Sequence, residues 1–244
     1  MDDKFYKHFK DILNLGENEI INLDMKVKND LKFNACYEVA TSAYYYMDSF
    51  FILAKNDRTL IAQSLLRPIL ECYFVVKWIL EDKTKFNALN FFSNEFNEKA
   101  FRVKFLDINS TEKIIKKFEK GRDKFIKNII NDFGINIINK NINKKYPSIE
   151  SIANAANLSD IYNKLYRYLS VFNHIDSSNT AYFINKYKLL KKDAKLINAI
   201  LTAALDYYTS ILLEINNEFN IFSTKSRNRL TEINKEILKP YLPN

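Results

Sequence analysis

Three glycines and four prolines in 244 residues leave this chain few places to turn sharply. Sandwiches and barrels need turn residues in larger supply, and nucleotide-binding α/β folds need glycines where the backbone approaches a phosphate. An all-α chain is what remains. Its apolar fraction of 47% and aromatic fraction of 14% suffice to bury a sizeable core, so disorder is not the default reading.

Apolar residues recur with a 3.6-residue period and nowhere with convincing strand alternation. The pattern predicts helices over about 4–13, 18–54, 58–80, 85–106, 111–133, 148–156, 161–174, 193–220 and 225–238. We expect a single bundle of about seven to nine helices over residues 1–244. A peripheral N-terminal helix would occupy 1–16, a polar loop 134–147 and a peripheral C-terminal helix 222–244. Gly16 is read as a left-handed C-cap, and Asn56-Asp57 as a stop followed by an N-cap. Pro68 falls inside the third helix, removing one backbone donor, so that this central helix is expected to kink and free a carbonyl near Ser64.

Cys36 and Cys72 lie in periodic apolar stretches without a CxxC or a Cys/His cluster, and read as small core residues of a reduced compartment. The N-terminus, MDDKFYKHFKDILNL, is charged throughout and does not read as a secretory signal. The apolar segment 197–215 contains Asn198, Asp206, Thr209 and Glu214, which a membrane span tolerates poorly. A cytoplasmic protein with no membrane partner is expected.

The formal charge of +8 is concentrated. Between Lys99 and Lys145 there are 13 Lys or Arg against 5 Asp or Glu, an excess equal to that of the whole chain. Interleaved Phe and Ile favour nucleic acid over a membrane surface as the anionic partner.

Two constellations could carry chemistry. Arg67 and Glu71 stand four residues apart in the run SLLRPILECYFVVKWIL, on one helix face, where a buried charge pair needs further partners. They form either a functional pocket or a structural ion pair. The second is YRYLSVFNHIDSS, in which Arg167, Ser170 and His174 share one stripe over two turns. The other histidine, His8, sits on a lysine-rich helix and reads as solvated. An arginine beside an imidazole suits phosphate chemistry without metal, the imidazole moving protons while the ribose 2′-hydroxyl attacks its own phosphate. No HExxH, GxSxG, Walker or GxGxxG motif occurs, so neither a metal nor a cofactor is expected.

Arg67-x-x-x-Glu71 with Trp78, followed by Tyr166-x-x-Leu169-Ser170 and His174, resembles a bacterial family of uncharacterised helical proteins, family 5677 of the domains of unknown function, over about 48–213. Arg167 and His174, with six residues between them, are similar to the Arg-x(4 to 6)-His signature of the HEPN superfamily. Tyr168 stands where that signature carries a polar residue. The likeness implies a helical bundle, often dimeric, acting as a metal-independent RNase in toxin–antitoxin or phage-defence systems, beside an antitoxin or other defence partner. On this reading His174 is the general acid/base, Arg167 or Arg67 the phosphate clamp, and Glu71 the group that orients the arginine. Tyr166, Ser170, Asn173, Lys113, Lys117, Lys120 and Lys124 would contact RNA or a nucleotide. The alternative is a non-catalytic regulatory or ligand-binding module in which Arg, Glu and His form a structural network.

Overall fold

The computed structural model describes residues 3–23, 30–106, 111–133, 146–173 and 194–238, and their regular structure is all helical. Helix α1 (Asp3–Gly16) runs into a π turn at Glu17–Ile21, and α2 spans Leu31–Lys55. Next come α3 (Thr59–Glu81), α4 (Phe86–Leu106), α5 (Thr111–Phe133) and α6 (Ile149–Ala155). The short α7 (Ser159–Ile161) continues through a π turn, Tyr162–Tyr166, into α8 (Arg167–Asn173). Finally, α9 spans Ala194–Phe219 and α10 Thr224–Leu238.

Helix α3 is the hub. It packs on α2 and α9, and also touches α4, α6 and α8, because apolar residues occur on nearly all its sides. Leu66, Ile69, Leu70, Phe74, Val76 and Ile79 are buried in one apolar cluster that draws on every long helix. Lys32 of α2 ties the three central helices together. Its buried ammonium donates to the Leu80 carbonyl at the end of α3 (2.8 Å) and to Glu218 of α9 (3.2 Å). Cys36 and Cys72 are buried free thiols, and burial pushes Cys72 up to about 12. Helices α3 and α9 are long and apolar enough to cross a membrane, and both give part of that surface to the core.

The chain manages with three glycines because other residues take the left-handed position at helix ends. Asp57 (φ 57°) and Asn157 (φ 57°) each follow a helix whose last carbonyls are closed in the same way. The amide of Arg58 reaches the Leu53 carbonyl and that of Leu158 reaches Ala153, the wrap-around normally finished by glycine. Asp57 thus ends α2 and does not cap α3, whose N-cap position is Arg58. The expected left-handed Gly16 is also corrected. It is right-handed (φ −59°, ψ −43°) inside a continuing helix, and its missing side chain makes room for the buried Tyr208, whose Oη would lie 2.1 Å from an added Cβ.

His8 is the other correction. It is 4% exposed, since it belongs to the stripe Phe5, His8, Phe9, Ile12 and Leu13 that α9 and α10 cover. Neither ring nitrogen has a hydrogen bond, although Nε2 stands 3.2 Å from Glu236 Oε2. Burial lowers the imidazole pKa, Lys4 and Arg229 lower it further, and Glu236 and Asp11 oppose the shift.

Replacing Gly16 by Ala would ordinarily favour a helix, but here it forces Tyr208 aside and should cost about 1–3 kcal/mol in urea unfolding. Combining it with Tyr208→Phe, which removes the obstructing oxygen, should restore part of that loss. For His8, the unfolded chain takes up its proton near the ordinary value of 6.5 and the folded chain only at lower pH. Its contribution to stability is therefore complete above that pH and is lost as pH falls below it. A steeper drop in melting temperature below pH 6.5 for the wild type than for His8→Leu checks this.

Candidate functional site

Arg67 and Glu71 lie one turn apart on α3, and the π turn before α8 brings Tyr166 against them. The Arg67 Nε donates to Glu71 Oε1 (3.1 Å), and Nε and Nη2 both donate to the Tyr166 hydroxyl (3.1 and 2.8 Å). That hydroxyl in turn donates to Glu71 Oε1 at 2.7 Å. The guanidinium carbon also lies over the Tyr166 ring, 4.9 Å from its centroid, so a cation–π contact accompanies the hydrogen bonds. One oxygen thus accepts from the arginine and donates to the carboxylate, closing a three-membered ring of charge-assisted bonds.

The network is half-buried. The Arg67 side chain is 26% exposed and that of Glu71 33%. Burial opposes the guanidinium charge, yet Tyr166 and Glu71 outweigh it and hold Arg67 above its ordinary value. Burial and the bond to Glu71 push Tyr166 up to about 12, so its hydroxyl keeps its proton at any physiological pH. Among the described residues, no hydrogen bond reaches Arg67 Nη1 or Glu71 Oε2, one donor and one acceptor of the network. Behind it stands an aromatic wall: Tyr162 stacks on Tyr166 (4.9 Å, 19°), and Phe74 lies 6.0 Å from Tyr166.

The remaining candidates are placed differently. Arg167 opens α8 with its side chain exposed, outside the network. Ser170 donates its hydroxyl to the Tyr166 carbonyl (2.9 Å), one turn back along its own helix. Asn173 closes α8. His174 lies outside the described residues.

Helix α5 carries the basic residues. Lys117, Lys120 and Lys124 are exposed, and so are Lys116 and Lys127, which share their face. At 100° per residue these five lysines fall within a stripe about 100° wide, while the side chain of Lys113 lies outside the described residues. Phe118, Phe125, Ile126 and Ile129 lie on the opposite side, and Gly121 lets α5 approach Phe96 of α4. Arg122, on the opposite side of the helix, pairs with Asp123 (3.1 Å), an exposed acid at the edge of the stripe. Among the described residues, no group of His, Cys, Asp and Glu could hold a metal ion.

Sequence spacing identified Arg67, Glu71 and Tyr166, but not the way one hydroxyl joins the other two. The overlooked signal was Tyr162, which repeats Tyr166 one turn earlier and extends the aromatic wall. Tyr166→Phe should cost about 1 kcal/mol in denaturant unfolding, because it removes a bond from each charged partner. Arg67→Met and Tyr166→Phe combined should cost less than the sum of the two single changes, the mark of a shared network.

Comparison with known proteins locates this site within a family. The profile of a family of unknown function (DUF5677) matches residues 33–193. No curated protein and no solved structure matches the chain. The match starts and stops earlier than the 48–213 suggested by the motifs. It takes in α3 with Arg67 and Glu71 and the π turn with Tyr166, and leaves α1, α9 and α10 as flanks. With well over half of its length inside that match, the chain belongs to the DUF5677 family.

Proposed function

We propose that the chain binds single-stranded RNA along the lysine face of α5 and cleaves it without metal in the manner of a HEPN-like endoribonuclease. The observation that carries this reading is the stripe itself. Lys116, Lys117, Lys120, Lys124 and Lys127 are exposed along three turns of one helix, opposite its apolar side. Solvated ammonium groups so arranged attract a phosphate backbone by counterion release, whatever its sequence.

The cleavage step falls to the α8 stripe. His174 would take the proton of a ribose 2′-hydroxyl as that oxygen attacks the adjacent phosphorus, leaving a 2′,3′-cyclic phosphate and releasing the 5′-oxygen, which must be protonated in turn. One imidazole cannot do both at once, so a second copy across a homodimer supplies the acid. Arg167, exposed and outside the network, is the better phosphate clamp. Arg67, held by Glu71 and Tyr166, positions α8 and offers only Nη1 to a ligand. The setting in toxin–antitoxin or phage defence, with a protein partner from such a system, rests on the HEPN resemblance alone.

A second reading is a non-catalytic module. It is favoured by the way Arg67, Glu71 and Tyr166 satisfy one another, as a structural network does. Labelled single-stranded RNA incubated with the protein and EDTA separates the two. Cleavage by the wild type and its loss in His174→Ala at an unchanged melting temperature is the expected result. Inert wild type and variant, with the variant melting several degrees lower, would make the histidine structural. In binding assays, Lys117→Gln, Lys120→Gln and Lys124→Gln together should flatten the salt dependence by about 2 logarithmic units per decade of salt. An unchanged slope would place the RNA elsewhere.

A further inference from the structure

Tyr168 belongs neither to the α3–α8 network nor to the lysine face of α5. Among the described residues six large apolar side chains are exposed, five of them on α1, α2 and the first turn of α3, and Tyr168, 48% exposed, is the sixth. Its neighbours fix this orientation. Tyr166 and Leu169 are buried against the bundle, so Tyr168, on the other side of the turn, points to solvent. Lys164, one turn earlier, and Arg167, the preceding residue, are exposed as well. Lys164 pairs with Asp160 at 3.1 Å, but both side chains stand largely in solvent, where such a pair contributes little and yields to a stronger anion.

The outer face of α8 and the turn before it thus sets a half-open aromatic ring beside two cations. An apolar partner would have to strip water from Lys164 and Arg167, whereas a simple anion would leave the ring unused. A nucleotide in a single strand suits both features. We propose, resting on the RNA reading above, that Tyr168 is the stacking platform for one unpaired base of the bound RNA, with Arg167 and Lys164 holding the flanking phosphates. The consequence is selection of single strands over duplexes, whose base faces are already covered by stacking. No preference among the four bases is implied, because every base presents a π face.

RNA with 2′-O-methyl riboses cannot be cleaved through its 2′-oxygen, so its affinity can be measured with the intact full-length protein. The wild type should bind a short labelled oligouridine of this kind at least about tenfold more tightly than an abasic oligomer of equal charge. Tyr168→Phe should keep that preference, and Tyr168→Leu, which retains bulk but has no π face, should lose it. Because stacking releases no counterions, wild type and Tyr168→Leu should show the same salt slope. The proposal is overturned if the wild type binds the two oligomers alike, or if Tyr168→Leu retains the preference. In either case, binding that still weakens with salt and with the triple lysine change leaves the RNA reading standing, whereas a wild type that binds neither oligomer overturns both. The comparison of oligomers on the wild type needs no variant and stands even if Tyr168→Leu melts early.

Discussion

Burial of α3 is the constraint from which the rest of the structure follows. A helix apolar on most of its faces can be stable in water only if neighbours cover it, and here α2, α9, α6 and α8 do so. Its few charges must then find partners on those neighbours. Lys77 meets Glu214 of α9 at 3.2 Å, and Arg67 and Glu71 meet Tyr166. The carbonyl of Leu80 at its C-terminal end receives the buried Lys32 of α2. The polar contacts of the bundle are thus arranged around the demands of one helix, and the candidate site is the place where that helix keeps a charged pair half-open to solvent.

The π turn decides what faces that opening. Adding one residue to a helical turn rotates everything beyond it by about 100° relative to what precedes it. Across Tyr162–Tyr166 this lets α7 continue the chain from α6 while α8 emerges with a different face toward α3. Tyr162 and Tyr166 stack at the junction, and Arg167 turns outward. Arg67 thus spends its bonds within the network, whereas Arg167, next along the chain to Tyr166, is exposed.

Much of this was legible in advance, for identifiable reasons. Element type followed from apolar period and from turn-residue scarcity, because both reflect local backbone demands. Arg67 and Glu71 could be paired on paper since four residues is one helical turn. His8 was misread because its charged neighbours, Lys4, Lys7 and Lys10, drew more weight than its place between Phe5, Phe9 and Ile12 on the covered stripe. Gly16 was misread because a glycine near a helix end has a strong local explanation, whereas the actual one is a tyrosine nearly two hundred residues away. Asp57 was misread because aspartate is common both before a helix and, less often, in the left-handed position after one.

The amino-acid sequence by itself determined the helical class, the amphipathic lysine helix and the charged pair on α3, since each depends on residues within a few turns of one another. Tertiary structure alone decided that Tyr166 closes the pair, that Gly16 yields to Tyr208 and that His8 is enclosed by α9 and α10. Those outcomes depend on which helix faces come together across long separations in the chain, and packing of whole surfaces, not any local preference, selects them.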